Sequence, residues 1–324
     1  MKPATASLAP RPYRPQDARI FYDVGTKDGV SDFDLQSDAA SVAVPATSQH
    51  RQTVAWRGGA LAASDRMVPE ETAIAFSYNR IAHAVMMATP GDLRDFAVGF
   101  SITEGIVADA AGIEELEIVP APHGIELRMW ISAPAMRAVE ARRRQMAGPT
   151  GCGMCGLESL DQAMRGAPPV SPGMTFSPAQ VQAAVTSLFP AQALNRVTRA
   201  VHAAGFVQSG HPPLVREDVG RHNALDKLGG AMAHAGRDPA AGILVMTSRV
   251  SVELVQKAAR IGIPVLVAVS APTALALRVA EGAGITVAGI ARDDGFEVFT
   301  HPDRIAPDCV APDCVATSAS RQTT

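Results

Sequence analysis

Apolar positions recur along this chain with two periods, and the places where one gives way to the other mark out its elements. Residues 69–89 read PEETAIAFSYNRIAHAVMMAT, two apolar stretches about a polar Asn79-Arg80, which predicts two strands joined by a tight turn. Thr89-Pro90 then leads into GDLRDFAVGFSITEG, where Leu93, Phe96, Ala97 and Phe100 keep helical spacing and Gly105 can end the helix. Two further strands are expected near 113–119 and 124–132, followed by a helix from Pro134 to Gly148 and a second helical stretch, LESLDQAM, from Leu157. In the C-terminal half, the apolar runs GILVMTS (242–248), PVLVAVS (264–270) and ITVAGIAR (285–292) alternate with helices over Ser251 to Ile261 and Thr273 to Ala283. This is a β-α-β-α-β pattern. Continuous apolar strands imply burial on both faces, and short helices between them imply crossovers onto a parallel sheet; GFEVFT can add an edge strand.

The expected fold class is therefore α/β, with a mostly parallel sheet in the C-terminal domain and a smaller α+β N-terminal subdomain. Residues 1–67 lack sustained periodicity and read as a disordered extension; 68–170 form the N-terminal subdomain ending in a CxxC loop; 171–304 form the α/β domain; 305–324 are a disordered tail containing the tandem repeat APDCV APDCV.

Composition narrows the function classes. A chain of 324 residues with 47% hydrophobic content can bury a sizeable core. A formal net charge of -3 supplies no overall cationic field for nucleic acid or acidic membrane, so phosphate recognition must be local. The start, MKPATASLAP, has no apolar run behind basic residues, and no later apolar stretch reaches bilayer-spanning length without charge or proline. A cytoplasmic protein without membrane or nucleic-acid partners is expected.

Candidate chemistry gathers at three places. The first is GPTGCGMCG, where Gly151, Gly153 and Gly156 can set Cys152 and Cys155 on a tight, accessible turn. A structural zinc site wants four ligands, and no second CxxC or HxxxH accompanies this pair in the folded region, so no metal is expected. His202 in VHAAG invites comparison with zinc deaminases, but Ala204 stands where their catalytic Glu is needed and the cysteines precede the histidine. A sulfur carrier fits better, because a persulfide-forming cysteine must be exposed and have a low pKa. Arg142, Arg143, Arg144 and the start of the following helix can lower it, although the arginines equally suit a solvated helix face. Cys152 is the expected carrier, with Cys155 resolving or releasing the sulfur by disulfide exchange. Spacing does not decide which one reacts.

The second place is a trio of loops at the expected carboxyl ends of parallel strands: Ser248-Arg249-Val250-Ser251, Ser270-Ala271-Pro272-Thr273, and Ile290 to Gly295. Together they suit a phosphate, while ordinary helix capping accounts for the same hydroxyls. The third is EDVGRHNALDK at 217–227, which packs Glu217, Asp218, Arg221, His222, Asn223, Asp226 and Lys227 into eleven positions. Exposed charge runs most often make a capped helix with a solvated, ion-paired face, but the join of Val219-Gly220 to this cluster points to a loop beside the sheet rather than a free surface.

Taken together, GCGMCG, EDVGRHNALDK and SRVSVELVQKAARIGIPVLVAVSAPTALA resemble the FdhD family, the formate dehydrogenase accessory sulfurtransferases, over a stretch running from about Pro69 through FTHP at 299–302. The resemblance implies a cytoplasmic homodimer with a cytidine-deaminase-like, three-layer C-terminal domain. Such a protein takes sulfur from a cysteine desulfurase and sulfurates the molybdenum cofactor Mo-bis(molybdopterin guanine dinucleotide) needed by formate dehydrogenase. By position, Cys152 would bear the persulfide, and Ile290, Ala291, Arg292, Asp293, Asp294 and Gly295 would contact the cofactor. Relatives commonly end that segment with Gly-Arg, whereas IARDDG sets two carboxylates near a polyanion; weakened phosphate contact, a displaced loop or help from Arg249 is expected. A non-catalytic cofactor chaperone and a zinc deaminase-like hydrolase are the alternatives.

Overall fold

The computed structural model describes residues 20–22, 43–145 and 167–306. Two mixed sheets, each with its own core, are pressed together through helices. The N-terminal sheet comprises β1 (Ile20–Tyr22), β4 (Thr72–Tyr78), β5 (Ile81–Ala88), β6 (Ile113–Ala121) and β7 (Gly124–Ile131), in the order β1-β6-β7-β4-β5. The predicted turn between β4 and β5 forms at Asn79 (φ 48°) and Arg80 (φ 70°), the left-handed pair that two-residue hairpins require. Asn79 also bolts the turn to the sheet: its Oδ1 accepts from Ile131 N at 2.8 Å and its Nδ2 donates to Ile131 O at 3.0 Å.

Helix α1 (Leu93–Thr103) is apolar or small almost all round and accordingly buries residues on every face. Its N-cap is Asp92, in a left-handed conformation and without a side-chain cap. Thr89 therefore does not start the helix, as its position before Pro90 suggested; it faces the C-terminal half. Helix α2 (Ala133–Gln145) adds Met136 and Val139 to the same core.

The C-terminal sheet is built from β8 (His202–Gln208), β9 (Leu214–Asp218), β10 (Gly242–Met246), β11 (Val265–Ala268), β12 (Thr286–Arg292) and β13 (Gly295–Val298), ordered β13-β12-β11-β10-β8-β9. The central β10, β11 and β12 are parallel, as the β-α-β-α-β pattern predicted. The expectation of a mostly parallel sheet is corrected: three of the five pairings are antiparallel. The reason is local. Hairpin-length connections join β8 to β9 and β12 to β13, and such short connections can only return antiparallel. Helices α5 (Arg221–His234), α6 (Val252–Ile261) and α7 (Ala274–Ala283) cover one face, packing on Leu244, Met246, Leu266 and Val287. Helix α3 (Pro178–Ala191) covers the other through Val181, Ala184, Val185 and Leu188 on Ile243, Val245 and Val267. A short α4 (Ala193–Thr198) follows it.

A second correction concerns residues 1–67. Strands β2 (Ser48–Arg57) and β3 (Ala60–Pro69) form a ten-residue antiparallel ribbon where an extension without structure was expected. Its side chains are mostly exposed, so it carries little of the apolar alternation that marks a strand. The signal it did carry is Gly58-Gly59, both at positive φ, the favoured chemistry of a two-residue hairpin.

Candidate functional site

The carboxyl ends of β10, β11 and β12 come together, and the structure assembles there the three loops that the sequence singled out. Val250 N donates to Ala271 O (3.2 Å), Thr273 N to Val250 O (3.0 Å) and Ile290 N to Ser270 O (3.1 Å), tying the loops into one rim. Ordinary capping explains Thr273, whose hydroxyl accepts from Ala276 N at 3.2 Å. It does not explain Ser251, which stands at the N-cap of α6 and makes no side-chain cap.

Ile290 to Gly295 is not a loop following the last core strand, as expected, but the end of that strand and a hairpin turn. Ile290, Ala291 and Arg292 belong to β12, and Asp293-Asp294 forms the two-residue turn into β13, closed by the Arg292–Gly295 pair. A register irregularity between Gly289 and Arg292 puts Ile290 at φ 55° and leaves its side chain 40% exposed. Arg292 donates to the carbonyls of Val269 and Ala291, and its own carbonyl accepts from Gln182, so its guanidinium is committed to the backbone. Asp293 and Asp294 are exposed at the turn. Arg249 is exposed on the neighbouring loop.

Along the same edge, β8 and β9 bring His202 opposite Asp218, and Thr247 clasps Ala203 through both its backbone N–H and its hydroxyl. Asp218 leads directly into Arg221 and His222, in the first turn of α5. His222 Nε2 lies 3.3 Å from Ser251 Oγ and 3.9 Å from Glu253 Oε2. Burial, with Arg221 next, holds His222 down at about 4 and lowers His202 in the same direction. Both imidazoles are uncharged at neutral pH. Serine, histidine and glutamate here do not make a nucleophilic triad. Hydroxyl and carboxylate both approach Nε2, so the glutamate cannot orient the ring through Nδ1 as that chemistry needs.

The remainder of EDVGRHNALDK does something that sequence reasoning missed. Asp218, Asp226 and Lys227 are neither solvated nor in a loop; they are buried where the two halves meet. Lys227 donates to Asp218 Oδ2 (2.7 Å) and to Thr89 O (2.8 Å) with both side chains 0% exposed. Asp218 also accepts from Thr89 N, Gly220 N and Asn223 Nδ2. Asp226 takes Lys257 at 2.8 Å and Thr103 Oγ1 at 2.6 Å, and Lys257 reaches on to Glu104. Glu217 accepts from Leu194 N and Asn195 N, fixing the start of α4. A hint was available in the helical spacing of Asn223, Asp226, Lys227 and Gly230, which share one side of α5.

Cys152 and Cys155 lie outside the described residues, as do Cys309, Cys314, the side chains of Arg142 to Arg144, and the LESLDQAM segment for which a helix was expected. Val170 N and Met174 N donate to Ala283 O and Ala240 O at the amino-terminal edge of the parallel strands. Where the deaminase comparison would need a carboxylate, Ala204 is fully buried in β8. Among the described residues no helix is long and apolar enough to cross a membrane.

Comparison with known proteins bears on this arrangement. The family model described as the FdhD/NarQ family matches residues 69–306. A sulfur carrier protein FdhD of Agrobacterium fabrum is 51% identical over 266 residues, covering 82% of this chain and 98% of the relative. One from Cupriavidus necator is 49% identical over 268 residues, with 82% and 93% covered, and one from Brucella abortus is 52% identical over 244 residues, with 75% and 91% covered. A solved structure from Desulfotalea psychrophila, described as a candidate formate dehydrogenase accessory protein, superposes with a TM-score of 0.64 at 26% identity, covering 81% of this chain and all of that one.

Proposed function

Because this chain belongs to the FdhD/NarQ family, we propose that it is a sulfur carrier serving formate dehydrogenase, with Cys152 as the atom-bearing residue. The observation that carries this reading is identity of about half, over nearly the whole length of relatives named as sulfur carriers, in a chain whose sequence places GCGMCG at 151–156.

The chemistry follows from thiol exchange. The Cys152 thiolate attacks the outer sulfur of a cysteine desulfurase persulfide; the donor's S–S bond breaks, the desulfurase cysteine leaves as thiolate, and Cys152 becomes Cys–S–SH. Attack by the Cys155 thiolate on the inner sulfur of Cys152 then releases hydrosulfide to the acceptor and leaves a Cys152–Cys155 disulfide, which a cellular thiol reductant must reopen. The acceptor in this reading is Mo-bis(molybdopterin guanine dinucleotide), handled as substrate. The rim at the carboxyl edge supports it through Arg249, whose guanidinium is exposed there. At the Asp293-Asp294 turn the same rim is acidic, and Arg292 is already engaged, so phosphate recognition falls to the Arg249 side. We further read the C-terminal half as cytidine-deaminase-like in its layers, a homodimer as its assembly and the cytoplasm as its location.

The test is incubation with a cysteine desulfurase and cysteine, followed by intact-protein mass spectrometry. A gain of one sulfur mapped to Cys152, absent from Cys152→Ala, is expected, together with loss of formate dehydrogenase maturation in a host complemented by that variant. Full maturation by Cys152→Ala would instead favour the chaperone that delivers cofactor without covalent chemistry.

A further inference from the structure

Strands β2 and β3 carry their polarity the wrong way round. Residues directly opposite in the ladder share a face, and the register sets Val54 with Ala63 and Trp56 with Leu61 on one face, Arg51 with Arg66 on the other. The second face meets the body at its foot: Arg66 donates to Thr198 O of α4 at 3.1 Å, and Thr53, Ala55 and Ser64 on that side are half-buried. The first face looks into solvent, with Trp56 exposed at 69% and Leu61 at 71%. Burial alone would turn the apolar face inward and the arginines outward.

A two-stranded ribbon by itself is marginal in water and gains stability when a face is packed. This one runs ten residues per strand, about 34 Å, closed at its foot by Glu70 N on Thr47 O and at its tip by Gly58-Gly59. Its apolar residues gather in the tip half, the bulky Trp56 and Leu61 beside the smaller Val54 and Ala63. The three arginines of the ribbon, Arg51, Arg57 and Arg66, all lie on the far face. The apolar face holds the ribbon's one carboxylate, Asp65, 3.6 Å from His50.

We propose that the apolar face is a contact between two copies of the chain, made by the tip halves of their ribbons laid face to face. A two-fold axis crossing the ribbon between the Val54–Ala63 and Trp56–Leu61 pairs sets Trp56 of each copy on Val54 of the other and Leu61 on Ala63, bulky on small. The same rotation brings Asp65 beneath the other copy's Gly58-Gly59 turn, where a Cβ would meet nothing within 4 Å and Arg57 stands alongside, so the ribbon's one carboxylate meets a cation. The far face, with its three arginines, repels its own copy. This contact rests on the homodimer reading above and gives that assembly a surface. Its overlap, about 24 Å by about 10 Å, is smaller than the ~800 Å² per partner of a standard interface, so the pairing is reversible and dissociates over the micromolar range.

Sedimentation velocity of the full-length protein from about 1 to about 100 µM tests it, and the parent should pass from monomer to dimer across that range. Trp56→Glu should weaken association about a hundredfold or more and Leu61→Ala about tenfold, while Arg51→Gln on the far face leaves it unchanged. Each variant should keep the parent's urea midpoint, because none of these side chains belongs to a hydrophobic core. A second readout needs no change in the ribbon: in Trp130→Phe, Trp56 is the remaining tryptophan, and its emission should move to the blue as concentration rises. A dimer indifferent to Trp56→Glu, or Trp56 emission unmoved while the dimer forms, would overturn the ribbon contact and leave the homodimer reading standing; a monomer at every concentration would overturn both. Binding of a monomeric parent to a cysteine desulfurase or to phosphatidylglycerol vesicles, lost in Trp56→Glu, would give the face to that partner and overturn the second copy as its occupant.

Discussion

Adding one methyl group at Gly99 tests how the two halves are joined. Gly99 in α1 and Gly230 in α5 sit where these helices cross, and a Cβ built on Gly99 would lie 1.6 Å from the Asp226 carbonyl oxygen. Real Cβ contacts are essentially never under 3.0 Å, so Gly99→Ala must part the helices by about 1.4 Å, and the opposing atom is backbone that cannot swing away. Overpacking of this kind costs about 1–3 kcal/mol. The same displacement takes Thr103 Oγ1 from 2.6 Å to beyond hydrogen-bond reach of the buried Asp226 carboxylate, about 1.5–3 kcal/mol more. A loss of about 3–5 kcal/mol is expected, a large part of a typical domain's 5–15 kcal/mol. Urea unfolding followed by circular dichroism, with linear extrapolation, measures it. Gly282→Ala is the control, since this helical glycine faces open space and its replacement should stabilise by about 0.5–1 kcal/mol. Gly99→Ala within 1 kcal/mol of the parent would show that the crossing is not the tight joint argued here.

Lys227→Met should cost about 3–5 kcal/mol by stranding the Asp218 carboxylate, and Asp218→Asn in the same chain should restore part of it; a double variant no better than the sum of the singles, by urea unfolding, would refute the pairing. His222 takes its proton at about 4 when folded but near 6.5 when unfolded, so the unfolded state binds more protons between those values and stability should fall as pH drops through that window. His222→Gln should flatten that slope, and an NMR titration that finds His222 near 6.5 would contradict the burial argument. For Asp95, burial raises the carboxyl, but the His234 and Arg216 hydrogen bonds outweigh it and the net shift is downward. Its contribution is therefore present above the ordinary carboxylate range and lost below it: the stability deficit of Asp95→Asn should be largest at neutral pH and fade as pH falls below about 4.

The elements that were legible in the sequence are those whose burial is one-sided or complete. β10, β11 and β12 announce themselves as apolar runs because both faces are covered, and Asn79-Arg80 stands between β4 and β5 as a polar pair. The β2–β3 ribbon was not legible because Val54, Trp56 and Leu61 are exposed, at 69%, 69% and 71%, among polar neighbours, and nothing in a period of two marks a ribbon covered on neither face. The antiparallel strands β8 and β9 were not legible, and nothing in a strand's pattern of burial records its direction in the sheet. The charged motif at 217–227 was misjudged for a related reason. Charge in a sequence predicts solvent on average, and only the partners, here Thr89, Thr103 and Lys257 at distances of roughly 30 to 140 residues along the chain, show that these charges are satisfied inside. The rim at the carboxyl edge was legible as three loops, but only the structure shows Arg292 spent on carbonyls.

Helix α5 brings these threads to one place, because successive residues of one turn serve different masters. Ala224, Leu225 and Leu228 pack on the sheet; Asn223, Asp226, Lys227 and Gly230 meet the N-terminal half; Arg221 and His222 remain at the open edge. Position along the helix thus separates two outcomes. A substitution at 226, 227 or 230 should lower stability, whereas Arg221→Gln should unfold at the parent's urea midpoint, because among the described residues Arg221 holds no hydrogen-bond or ion-pair partner. If Arg221→Gln proved as destabilising as Lys227→Met, its guanidinium would belong to the joint and not to the open edge.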